Sequence, residues 1–149
     1  MQEGLVESKS FFSDLKKYEI GMLIGSIIII IGSLLPWVKA YDLFESATFL
    51  GVEILFGIIT LLFGLIMILL VFICKKFDKK VISNRLGVFL GFITIVIAIS
   101  ITQGVLEMGY SYSYSFFSPV VEADIGVFVT LIGGIILGIF SGIGGIRGD

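Results

Sequence analysis

Four long apolar runs, separated by short polar stretches, constrain this chain more than any other feature of its sequence. The runs cover about residues 19–38, 51–73, 86–103 and 125–146. Each is close to the ~20 residues that an α-helix needs to cross the ~30 Å hydrocarbon core of a bilayer. The composition agrees, because 57% of the residues are hydrophobic and the mean hydropathy is +1.12. The sequence therefore predicts an all-α membrane protein, a bundle of four transmembrane helices.

The basic residues lie almost entirely on one side of these four runs. All ten except Lys39 precede the first run, separate the second from the third, or follow the fourth: Lys9, Lys16, Lys17, Lys75, Lys76, Lys79, Lys80, Arg85 and Arg147. Short cytoplasmic loops of membrane proteins carry such an excess of Lys and Arg. We therefore predict a multi-pass protein of the cell membrane with both termini in the cytoplasm. The basic loop serves as a topology anchor or, alternatively, as a site for anionic lipids.

The predicted domain organisation is simple. Residues 1–18 form a cytoplasmic segment in which Phe11, Phe12, Leu15 and Tyr18 share one side of a short amphipathic helix on the inner leaflet. Residues 19–149 form a single transmembrane domain.

Aromatic residues mark the two predicted outer loops. Pro36 and Trp37 end the first helix, since proline disfavours helix in the preceding residue and tryptophan prefers the membrane interface. In the second loop, aromatic residues and serines alternate over 110–117, which is the two-residue period of a strand. Such a strand could pair with 41–49 in a small outer sheet, or the loop could be an irregular aromatic belt. A third alternative is a surface for a protein partner, formed by Trp37, Tyr110, Tyr112, Tyr114, Phe116 and Phe117.

Glycine is unusually frequent within the apolar runs, with 19 in the whole chain. Small residues spaced by four or seven let helix backbones approach closely in lipid. The glycines predicted to pack helices are Gly21, Gly25, Gly57, Gly64, Gly87, Gly91, Gly134 and Gly138. Packing within one bundle is the favoured interpretation, and contact between proteins is the alternative.

Residue types that carry chemistry are scarce. The chain has no histidine and a single cysteine, Cys74, which removes the commonest general base and any internal disulfide. No ionisable residue lies near the middle of an apolar run. Glu53 comes closest, and we predict it at outer-interface depth, one turn into the second helix. Cys74 is an acylation candidate or a small apolar residue. We therefore predict no enzyme activity, no cofactor and no metal site.

Leu34, Leu35, Pro36 and Trp37 lead into the first outer loop, and Gly51 opens the second helix. With four helices and internal termini, this plan resembles a family of small uncharacterised four-helix membrane proteins of archaea and bacteria, and more distantly the claudin topology. Claudins have a longer first outer loop with two cysteines, which this chain lacks, so a role in sealing cell contacts does not follow.

These features lead to a functional hypothesis. We expect a non-enzymatic accessory subunit or scaffold that acts through lateral helix contacts and its aromatic outer loop. Its partners would be the lipid bilayer and other membrane protein subunits or a second copy of itself, with no nucleic acid. The alternative is a small oligomeric transporter or channel with acidic residues such as Glu53 at its mouth.

Overall fold

Four long helices dominate the structure, a computed structural model that describes residues 15–41, 46–77, 80–112 and 120–147. They are α1 (Lys17–Leu34), α2 (Leu55–Lys76), α3 (Lys80–Tyr112) and α4 (Ile125–Arg147). Each contains a segment that is long and apolar enough to cross a membrane. The chain is therefore mostly helical with four candidate membrane spans, as the hydropathy pattern predicts.

A small antiparallel sheet covers one end of the bundle. It contains β1 (Pro36–Tyr41), β2 (Ser46–Leu50) and β3 (Val120–Ala123) in the order β2-β1-β3. A single 3-10 turn, Gly51–Glu53, leads from β2 to α2. We call this the sheet end of the bundle. The opposite end, where α1 begins and α2 gives way to α3, is called the basic end, because it carries Lys16, Lys17, Lys75, Lys76 and Arg85.

The helix boundaries differ from those predicted. Helix α1 ends at Leu34 rather than near residue 38, because Leu35 is extended, as a residue before proline prefers to be. Helix α2 begins at Leu55 rather than at Gly51, which belongs to the 3-10 turn. Glu53 therefore does not lie within the second helix. Its carboxylate accepts a hydrogen bond from the Leu50 N–H at 2.9 Å and so stabilises the turn that precedes α2.

The predicted strand over 110–117 is wrong where the structure describes it. Tyr110 and Tyr112 belong to the last turns of α3, because prolonging an existing helix gains a hydrogen bond for each residue fixed. β1 instead pairs with β2 on one side and with β3 on the other, where Ala40 lies opposite Val121. Tyr114, Phe116 and Phe117 lie outside the described residues.

The amino-terminal prediction also needs correction. Residues 1–14 lie outside the described part of the chain. Leu15 and Tyr18, predicted to face the inner leaflet, are instead buried in a core cluster with Met22, Met67 and Leu137. Tyr18 lies in the first turn of α1, which begins at Lys17, and Leu15 directly precedes this helix, so both side chains pack at the end of the bundle.

The helices pack unevenly. Helix α1 packs most closely against α4, and α3 packs closely against α4, whereas α2 and α3 form a much looser pair. At the α1–α4 contact, a Cβ built on Gly25 would lie 2.7 Å from the backbone nitrogen of Leu137. Only a glycine allows backbones to approach this closely, so these two helices form the most closely packed part of the bundle.

Candidate functional site

Trp37 joins the sheet to the bundle. Its side chain is fully buried, and its Nε1–H donates a 2.8 Å hydrogen bond to the Gly32 carbonyl. Gly51 and Gly126 approach the ring so closely that a Cβ on either would overlap with it. Trp37 therefore offers no surface to a partner. This corrects its predicted place among the partner-binding residues: the ring packs against the core because β1 folds back over the end of α1.

An ion pair fastens the sheet to the start of α4. Lys39 Nζ lies 3.0 Å from Asp124 Oδ2, and Asp124 Oδ1 accepts a 2.7 Å hydrogen bond from the Ile125 N–H. The Asp124 N–H in turn donates to the Trp37 carbonyl at 2.8 Å. The Ile125 hydrogen bond, followed by Lys39, lowers the pKa of Asp124, while the hydrogen bond and charge of Asp124 raise the pKa of Lys39. Asp124 thus stabilises the first turn of α4 and holds β1 in place.

Acid should remove this stabilisation. Because the pKa of Asp124 is lower in the folded protein, its contribution is present above the unfolded value of about 3.9 and is lost as the pH falls through the folded value. We expect Asp124→Asn to lower the unfolding free energy by a constant amount between about pH 5 and pH 9, with the difference disappearing in stronger acid. Unfolding titrations in micelles from about pH 9 down to about pH 2 would measure this difference in unfolding free energy.

The control for this prediction is Lys39→Gln. That variant loses the ion pair but keeps the Ile125 hydrogen bond to Asp124, so part of the pH dependence should remain. A stability difference between wild type and Asp124→Asn that persists unchanged to about pH 2 would contradict the assignment.

A ligand-sized apolar cavity lies beneath the sheet, between α2 and α3. It has a volume of about 460 Å³, within the ~300–1,000 Å³ typical of small-molecule pockets. A second cavity of about 240 Å³ adjoins it along the groove between the same helices and shares Phe56, Ser100 and Ile101 with it. The residues that line the larger cavity are Val38, Ala40, Phe49, Ile54, Phe56, Ser100, Ile101, Gly104 and Val121.

The sequence alone could not reveal this cavity. Its walls come from all three strands, the start of α2 and the last membrane turns of α3, so no local pattern marks it. Two small residues, Ala40 and Gly104, leave the space open, and a Cβ built on Gly104 would meet no atom within 4 Å.

Polar side chains inside the bundle are mainly hydroxyls that bond to their own helices. Ser33 Oγ lies 2.8 Å from Thr60 Oγ1, and both also lie within hydrogen-bond distance of a carbonyl one turn earlier, Ile29 and Gly57. Ser26 donates to Met22 in the same way. Such back-bonding satisfies a hydroxyl without requiring a pathway through the membrane.

Glu19 is the buried acidic residue that the sequence prediction missed. It is 6% exposed, and its Oε2 accepts a 2.8 Å hydrogen bond from the Lys16 N–H at the start of α1. Cys74, Ser83 and Asn84 help line a cavity beside it of about 10 Å³, the size of one water molecule. The sequence did contain a signal for this contact, because Glu19 lies in the first turn of the helix, where a glutamate can accept a hydrogen bond from the N-cap N–H.

The glycines predicted to pack helices lie at contacts within the chain. Gly21 and Gly25 of α1 contact Phe140 and Leu137 of α4, and Gly64 of α2 contacts Ser26 and Ile30 of α1. Gly57 contacts Gly51 in the preceding turn. On α3, Gly87 contacts Ser141 and Met67, and Gly91 contacts Gly134 and Gly138. Seven of these eight glycines are therefore buried against other parts of the chain, whereas Gly138 is half-buried and a Cβ there would meet no atom within 4 Å. Of the predicted aromatic residues, Tyr110 and Tyr112 lie in the last turn of α3.

Neither metal ligands nor relatives identify an activity. Within the described ranges, no three His, Cys, Asp or Glu side chains group together as metal ligands. No protein family model, curated protein or solved structure matches this chain. The resemblance to small prokaryotic four-helix proteins and to the claudin plan therefore stays a prediction, and the function must be argued from the bundle itself.

Proposed function

We propose that this protein is a non-enzymatic accessory subunit or scaffold of the cell membrane, which binds another membrane protein along α2 and α3. The observation that carries this proposal is the uneven packing of the four helices. In α1, 56% of the membrane-span residues are buried, whereas the proportions for α2 and α3 are 28% and 22%. Helices α2 and α3 therefore present the broad apolar surface on which a lateral partner could dock.

The glycine contacts support this choice of face. The predicted glycine faces are occupied by contacts within the chain, such as Gly25 on Leu137 and Gly91 on Gly138. A partner would therefore meet the large side chains of α2 and α3, among them Leu69 and Phe92, which are both more than half exposed. The aromatic segment 110–117 remains a predicted second contact at the sheet end.

The proposed orientation places the basic end and both termini in the cytoplasm. Exposed cations at this end include Lys17, Lys76 and Arg85. The loops of the sheet end contain one basic residue, Lys39, which is paired with Asp124. This distribution is what the positive-inside rule requires of a protein with its sheet outside.

Transport receives less support. Among the described residues, the two larger cavities have almost entirely apolar walls. Four buried hydroxyls, those of Ser26, Ser33, Thr60 and Thr94, bond to their own helices, and two others, Thr130 and Ser141, have no hydrogen-bond partner within the described part of the chain. Ion or proton pathways are normally marked by ionisable residues inside the membrane. The buried Glu19 lies at the basic end rather than along such a path.

Site-specific photo-crosslinking in the native membrane would test the proposal. A photoreactive residue at Leu69 of α2 or Phe92 of α3 is expected to capture the same protein, which should also co-purify after mild detergent extraction. Ile24 and Ile27 of α1 are the matched controls, since both are apolar and about half exposed. Adducts with lipid alone at all four positions would show that α2 and α3 contact no partner.

A further inference from the structure

The cavity beneath the sheet can hold little except hydrocarbon. Among its described lining residues, Ser100 is the one with a polar side chain, and the remainder of the wall is almost entirely carbon. Water needs two to four polar partners to occupy a buried site, and a charged ligand would lose its hydration without compensation. The chemistry of the walls therefore selects an apolar occupant.

The cavity is continuous with the lipid-facing surface of the bundle. Phe92, Val96 and Ser100 are all exposed and follow one another at four-residue spacing, so they form one stripe along α3. Val96 and Ser100 also line the adjoining cavity, with Phe56 of α2 on the other side. All three stripe residues lie within the candidate span of α3, so the opening faces the bilayer sideways rather than water.

We propose that this cavity binds one hydrocarbon chain of a membrane phospholipid, which enters sideways between α2 and α3 and ends beneath the sheet. The two adjoining volumes, about 460 and 240 Å³, share three lining residues and together follow α3 from Val96 to Gly104. A space that follows about two turns of a helix suits a linear chain. The site lies inside a single copy of the protein, so it does not depend on the proposed partner.

Trp37 provides a built-in reporter of the occupant. It is the single tryptophan of the chain and has no exposed surface. Val38, Ile54 and Ile101 pack against the cluster that contains Trp37 and also line the cavity. The indole is thus separated from the cavity by one layer of side chains. A heavy atom on a bound acyl chain would quench its fluorescence at short range.

The test uses the full chain reconstituted into phosphatidylcholine vesicles with or without bromine on the middle of the acyl chains. Brominated lipid should quench Trp37 in the wild type, and Gly104→Leu should lose most of this quenching. The leucine is expected to fill the cavity rather than displace a neighbour, because a Cβ at Gly104 meets no atom within 4 Å. Gly142→Leu is the matched control, since its Cβ position is equally open and it lies near the basic end.

Two results would overturn the proposal. One is the absence of quenching in the wild type, and the other is equal quenching in wild type and Gly104→Leu when their emission wavelengths agree. Should Gly104→Leu misfold, native mass spectrometry of the wild type decides the matter without a variant. Retention of one phospholipid per chain after stripping by mild detergent supports the site, and a protein recovered free of lipid contradicts it. No partner protein is present in either experiment, so failure of the scaffold proposal would leave both results unchanged.

Discussion

Replacing Gly25 with alanine is expected to destabilise the bundle by about 1–3 kcal/mol, the usual cost of overpacking a well-packed core. The added Cβ would lie 2.7 Å from the Leu137 nitrogen and 3.1 Å from the Gly133 carbonyl oxygen. Both are backbone atoms, so no side chain can rotate away and the two helices must separate. Reversible unfolding in mixed micelles would measure the loss as a lower unfolding free energy.

Gly138→Ala is the matched control for this prediction. Gly138 lies on the facing helix α4, yet a Cβ there meets no atom within 4 Å. In soluble helices, Gly→Ala at an unstrained position is favourable by roughly 0.5–1 kcal/mol, so this variant should be at least as stable as wild type. Equal destabilisation by Gly25→Ala and Gly138→Ala would mean that the effect of replacing glycine comes from helix flexibility and not from the close approach of α1 and α4.

Hydropathy alone predicted the four candidate membrane spans that the structure contains. Four spans were evident because each apolar run must satisfy its backbone within the membrane, where an α-helix is the simplest solution. The predicted ends of the spans were less accurate, since segment 51–54 has no sequence pattern that separates a helix from a turn. The turn depends on tertiary contacts, such as those of Gly51 with Trp37 and with the Leu35 carbonyl.

The candidate site was harder to predict for the same reason. Trp37 follows a proline at the edge of an apolar run, a pattern that favours an interfacial residue. Its burial depends on Gly51 and Gly126, which are distant in sequence and come together only in the folded chain. The cavity depends likewise on Ala40 and Gly104 being small at positions where two separate elements face each other.

Trp37→Ala should be among the most damaging single substitutions in the chain. Removing a fully buried tryptophan typically costs about 3–5 kcal/mol, because apolar contacts are lost and a cavity remains. Here the ring also joins two parts of the structure, because it extends from β1 into a cluster with Ala98 of α3 and Val127 of α4. We therefore expect the sheet to detach before the helices separate, which hydrogen exchange of the β1 amides in micelles would detect.

Trp37→Phe separates packing from hydrogen bonding at the same position. Phenylalanine keeps an aromatic ring but cannot donate to the Gly32 carbonyl, which still accepts the Leu35 N–H at 3.2 Å. Its cost should therefore be clearly smaller than that of alanine, and β1 should stay protected from exchange. Wild-type emission provides an independent check: a fully buried indole should emit at short wavelength in micelles and shift to longer wavelength on unfolding. Long-wavelength emission from the folded protein, together with a stability of Trp37→Ala close to wild type, would show that this ring lies at the membrane interface and does not hold the sheet to the bundle.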